Sequence, residues 1–151
     1  RDKEGIQMTA KQYLKQIRKL DNLISTKLEL LEKMRAMSTS VSQTFEPNKI
    51  KNKKLRNKTA DLIIKIVDLE REITDDIDRL VDLKRAILQK IDTLENKDHI
   101  RILIKRYVLY KTWEQIAVEM KYSFRHVTRM HGHALQEFEK ILREEEEEGE
   151  E

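Results

Sequence analysis

Two long stretches of this chain carry an apolar residue at every third or fourth position, a spacing that a helix gathers onto one face. From Thr9 to about Met37 the series is Leu14, Ile17, Leu20, Ile24, Leu28, Leu31 and Met34. Such a helix would run ~40 Å at the usual rise per residue. From near Leu55 to Glu95 the series is Leu62, Ile66, Leu69, Ile73, Ile77, Leu80, Leu83, Ile87, Ile91 and Leu94. A repeat sustained that long has the character of a coiled coil. Ile63, Ile64, Val67, Val81 and Leu88 widen the second stripe. One partner helix leaves part of it uncovered, and a helical hairpin that also pairs with another chain buries more. With 3 Gly and 1 Pro in 151 residues, the chain has few of the turn residues that a sheet needs.

The segments around these helices are polar. "STSVSQT" (Ser38–Thr44) is expected to break the first helix, because Ser and Thr compete for backbone hydrogen bonds. "PNKIKNKKLRNK" (Pro47–Lys58) has six basic residues and no acid, and reads either as a solvated connector or helix start or as a phosphate-contacting arm. Among Asp75, Asp76, Asp78 and Asp82, steps of one and two do not share a helix face, and no His lies nearby. They read as a solvated face with an Asp75–Arg79 pair, not as a metal site.

Chemistry is bounded largely by exclusion. The chain has no cysteine, which removes disulfides and thiolate catalysis. No run of apolar residues suffices to span a bilayer. No paired carboxylates, nucleophile–base set or phosphate-binding Gly loop can be placed, so an enzyme, a cofactor and a bound metal are not expected. A cytoplasmic location is expected. Net charge is +3, but "EEEEEGEE" (Glu144–Glu151) holds seven of the 28 acids, and the remaining 21 face 31 bases. A basic body suits a polyanionic partner. The acidic tail reads as a disordered or added end, or more sharply as an internal competitor that shields the basic surface.

After the polar break at Glu95–Asp98, "DHIRILIKRYVLY" reads as a helix with Ile100, Leu103, Ile104 and Tyr107 inward. Thr112 and Gln115 form a capping box for the short helix "WEQIAVEM". Lys121 and Tyr122 make a turn, with Lys121 expected in the left-handed region at a cost of ~1 kcal/mol. Ser123 caps a helix from Phe124 to about Leu142. This is the order of a helix-turn-helix, with Ile116, Ala117, Met120, Tyr122, Val127 and Met130 packing the unit. Phe124, Arg125, His126, Thr128 and Arg129 then point outward at the end that enters a major groove. The candidate DNA-binding set is Lys121, Ser123, Phe124, Arg125, His126, Thr128, Arg129 and His133. All four His (His99, His126, His131, His133) lie in this region and read as phosphate or solvent contacts. Binding through them would tighten as pH falls toward ~6.5. Gly132 reads as a site of close packing or a weak point.

The fold expected is therefore all-α: a long antiparallel helical hairpin followed by a C-terminal helix-turn-helix module. Residues 1–8 read as a disordered or added N-terminus, with Met8 as a natural start. Residues 9–97 form the oligomerisation stem, 98–143 the module and 144–151 the acidic tail.

"TWEQIAVEMKYSFRHVTRMHGHAL" resembles region four of bacterial sigma factors, through Ile116–Ala117, the Ser123 cap and Ala134–Leu135. From Met8 to Leu142 the chain is similar to a family of small phage and mobile-element proteins of Gram-positive bacteria, akin to late-transcription and autolysin regulators. "MTAKQYL", "KIVDLEREITDDIDRLVDLKR" and "RYVLYKTWEQIAVEMKYS" carry that resemblance. It implies a sequence-specific DNA-binding regulator of phage or mobile-element transcription, in which Phe124, Arg125 and Arg129 face bases while His126 and Thr128 face phosphates. The promoter-melting region two of sigma factors has no counterpart. The expected partners are double-stranded DNA, RNA polymerase and a second copy through the hairpin. A phage DNA-packaging recognition or assembly subunit and an adaptor that binds RNA polymerase instead of DNA are the alternatives.

Overall fold

A computed structural model describes residues 8–43 and 49–150. Arg1–Gln7, read above as an added end, and Pro47 lie outside the described residues. The described chain is all-α, with five α-helices and no strand. They are α1 (Ala10–Gln43), α2 (Lys49–Ile91), α3 (Lys97–Leu103), α4 (Trp113–Met120) and α5 (Phe124–Gly149), with a π-helical turn at Ile104–Val108 directly after α3. α1 and α2 are the expected antiparallel hairpin. The chain groups into two compact units, one made of the chain up to Lys19 and from Val81 onward, the other of Leu20–Leu80.

In the Leu20–Leu80 unit a seam of Ile24, Leu31, Leu69, Ile73 and Leu80 is buried. Lys27 Nζ meets Asp76 Oδ2 at 2.5 Å and Glu72 Oε1 at 3.1 Å. Arg35 pairs with Glu70. The later position on α1 meets the earlier one on α2, as antiparallel helices require. Asp76 is 4% exposed, whereas Ile77 is 42% and Leu28 46% exposed. Leu28 and Ile77, expected in the stripe, therefore yield their places to Lys27 and Asp76, and the pairing explains why. Hydrogen bonds that the Lys27 ammonium donates to Asp76 and then Glu72 hold it in its charged form. Arg79 pairs with this same Asp76 at 3.4 Å, not with Asp75. Two charges in an apolar seam fix register, because a slipped alignment would strand both.

α1 runs through Ser38–Gln43 instead of breaking there. The Thr39 hydroxyl donates to the Arg35 carbonyl at 3.1 Å, so it bonds within the helix instead of competing with it. α2 begins at Lys49, ahead of the expected start near Leu55, since Lys is a good helix former even without an apolar period. It ends at Ile91, where the Thr93 hydroxyl takes up the Lys90 carbonyl at 2.7 Å.

The other unit is cored by Leu14, Ile17, Ile87, Ile91, Ile102, Leu103, Ile116, Val127 and Phe138, all fully enclosed. Thr9 and Gln12 form a reciprocal capping box that starts α1, with bonds of 3.0 and 3.3 Å. The Tyr13 and Phe138 rings lie 5.9 Å apart and bring α1 against α5. Asn96 caps α3 by accepting from Asp98 N at 2.9 Å and His99 N at 3.4 Å. Ile102 is buried in α3, whereas Ile100 and Ile104, expected inward, are half-buried. The switch to a π turn rotates the face presented by the residues that follow.

Candidate nucleic-acid interface

The site is built by α4, the turn Lys121–Ser123 and α5. Thr112 caps α4 by accepting from Gln115 N at 3.2 Å, and Gln115 Oε1 accepts from Thr112 N at 3.0 Å. α4 ends as expected: Lys121 sits in the left-handed region at φ 59° and ψ 40°. Tyr122 N donates to Ala117 O at 3.1 Å and Lys121 N to Val118 O at 3.3 Å, so the last carbonyls of α4 are satisfied in a Schellman closure. Ser123 then caps α5, accepting from His126 N at 3.1 Å. Ile116, Ala117, Met120 and Val127 are buried and clamp the two helices together. Met130 is half-buried and Tyr122 is 37% exposed, so neither is the core residue expected. The Tyr122 hydroxyl donates to Asp98 Oδ2 at 2.8 Å, which draws the ring out to the surface.

The start of α5 faces solvent. Phe124 is 50% exposed, and Arg125, His126, Arg129 and His133 are exposed as well, beside Lys121 and Ser123 of the turn. Among the described residues neither Arg125 nor Arg129 is ion-paired. No acid stands in the first turn of α5, so these cations add to the positive end of the helix dipole. Thr128 is half-buried, and its hydroxyl donates to the Arg125 carbonyl at 3.0 Å. The His126 ring is steadied edge-on against Tyr122, 4.7 Å between centroids. The Asp98 anchor behind that contact joins residues 24 apart, and no local spacing announces it.

His131 is the clear exception to the expected set of surface histidines. It is buried, and its Nε2 lies 2.8 Å from the Tyr107 hydroxyl. The Trp113 ring meets it edge-on at 4.5 Å, with the Arg106 guanidinium 4.5 Å over that indole. Burial first, then Lys11 and Arg106, push the His131 pKa down to about 4. Burial also lifts Tyr107 to about 12, so the pair is neutral near pH 7. This interior cluster sets the rotation of α5 about its own axis. His99 is likewise internal to the fold, paired with Glu137 of α5. Of the four His, only His126 and His133 are exposed on the candidate surface.

The acidic tail, expected to be disordered, is helical as far as Gly149, where α5 ends, with Glu145 paired to Lys90. Along one straight helix Glu144 stands ~30 Å from Phe124. It therefore does not shield the basic start of its own helix. Lys105 and Lys111 are spent on Glu119, at 2.6 and 2.5 Å. Their bonds hold its carboxyl below the usual range. No cluster of metal-ligating side chains occurs among the described residues, and none of their helices is long and apolar enough to cross a membrane. No family model, curated protein or solved structure matches the chain.

Proposed function

We propose that the protein is a sequence-specific DNA-binding transcription regulator of a phage or integrated mobile element, and that α4 and α5 act as a helix-turn-helix. One observation carries this reading: a short and a long helix, clamped by buried Ile116, Ala117, Met120 and Val127, leave unpaired Arg125 and Arg129 beside exposed Phe124 at a capped, acid-free helix start. That end fits a major groove. Arg125 and Arg129 suit guanine edges, Phe124 suits a thymine methyl, and Lys121 and His126 suit phosphates. The sigma region-four resemblance supports the same assignment. Thr128, already bonded to its own helix, serves by packing more than by contact.

A second copy completes the reader. Ile63, Val67 and Ile77 of α2 are exposed and share one helix face at steps of four and ten, with Glu70 and Thr74 between them. Leu23, Leu30 and Met37 form an exposed strip on α1, one heptad apart. Helices that repeat a heptad on an outer face match other helices of the same kind, and a second hairpin supplies two. A dimer reads two half-sites about one helical turn (~34 Å) apart.

The adaptor reading also has one observation behind it. Val118 of α4 is 79% exposed and Leu109 53%, which suits a protein surface such as RNA polymerase. A gel shift on duplex DNA across a salt series, with Arg125→Ala and Arg129→Ala together, separates the two readings. The regulator loses specific binding while its salt slope changes little, because the two Arg are assigned to bases and the slope counts phosphate contacts. Wild-type protein that fails to shift any duplex leaves the adaptor.

A further inference from the structure

Gly132 lies in α5 one turn beyond Arg129 and two beyond Arg125, on the side those residues share. Nothing in the fold requires a glycine there. A Cβ at this position meets no atom within 4 Å, so the close packing expected from the sequence is not the reason. The backbone φ is not positive, and the position is exposed. Glycine is nonetheless the poorest helix former after proline.

The surroundings indicate what a bare backbone would meet. Arg129 and His133 flank Gly132, Arg125 and His126 stand toward the helix start, and no acid occurs from Phe124 to Gln136. Seven residues of helix advance ~10 Å, close to the ~12 Å width of a major groove. A helix that reads bases at Arg125 has therefore reached the groove wall by Gly132. We propose that Gly132 is a close-approach position, at which the main chain of α5 lies against the sugar–phosphate backbone of the duplex whose bases its first turns read. A side chain there would hold the two backbones apart.

This inference rests on the DNA-reading assignment. It is tested with Gly132→Ala and Gly132→Leu on the full chain. Melting temperature is measured by circular dichroism. Affinity is measured by fluorescence anisotropy on a short duplex enriched by the wild-type protein from a random pool. Alanine is expected to raise the melting temperature by roughly 2 °C or more. It is expected to weaken binding about fivefold or more, and leucine further still. Unchanged or tighter binding by Gly132→Ala overturns the inference and leaves the DNA reading standing. A lowered melting temperature also overturns it, by showing that the glycine serves packing. If the wild-type protein enriches no duplex, the DNA reading fails and this inference with it.

Discussion

At the scale of single residues, the site depends on two positions that a helical protein would not choose for stability. Lys121 occupies the left-handed region that suits glycine, at φ 59°. We expect Lys121→Gly to stabilise the protein by about 1 kcal/mol in thermal or chemical unfolding, since the αL position then carries no Cβ. If Lys121 also meets a phosphate, the same variant binds DNA more weakly and with a salt slope shallower by about one. His131 is the second. Its pKa is pushed down to about 4 in the folded chain, against an ordinary value near 6.5. Between those values the unfolded chain takes up a proton that the folded one refuses. Stability is therefore full above pH ~6.5 and declines as pH falls toward 4, by up to about 1.4 kcal/mol per pH unit. His131→Gln is expected to flatten the decline in melting temperature over that window. An equal decline in both proteins would assign it to other groups.

At the scale of elements, the Lys27–Asp76 pair decides how α1 and α2 align. Asp76→Ala leaves Lys27 beside an apolar seam, and we expect a lower melting temperature. Replacing both residues with Leu is expected to restore or exceed wild-type stability while loosening register, seen as a broadened distribution of species in sedimentation. Much of the element order was legible. Apolar period located both long helices, and side-chain chemistry located the Thr112 and Ser123 caps and the left-handed Lys121. What escaped has physical causes. Period alone does not choose between adjacent positions such as Lys27 and Leu28, or Asp76 and Ile77. The choice comes from a pairing across 49 residues of sequence. The helical acidic tail escaped because its Lys90–Glu145 pair joins residues 55 apart, and the Ser38–Gln43 segment because a hydroxyl such as that of Thr39 can bond within a helix as readily as compete with it. His131 escaped for a similar reason. A histidine on a basic helix reads as surface until Tyr107, Trp113 and Arg106 are seen around it.

At the scale of the whole molecule, a DNA reader with a single short recognition surface gains specificity by pairing. We propose the hairpin as the dimerising element, on the exposure of Ile63, Val67 and Ile77 and of Leu23, Leu30 and Met37. Sedimentation velocity is expected to show a dimer, and Ile63→Glu with Ile77→Glu a folded monomer that binds one half-site weakly. A wild-type monomer at micromolar concentration would remove the hairpin from that role. The measurement that reaches the proposed function most directly is selection from a random duplex pool by the wild-type protein, sequenced alongside an Arg125→Ala, Arg129→Ala selection. We expect the wild type to enrich a guanine-containing motif repeated about one helical turn apart, and the variant to enrich none. A pool that emerges unenriched, or that is enriched alike by both proteins, would contradict base reading by α5.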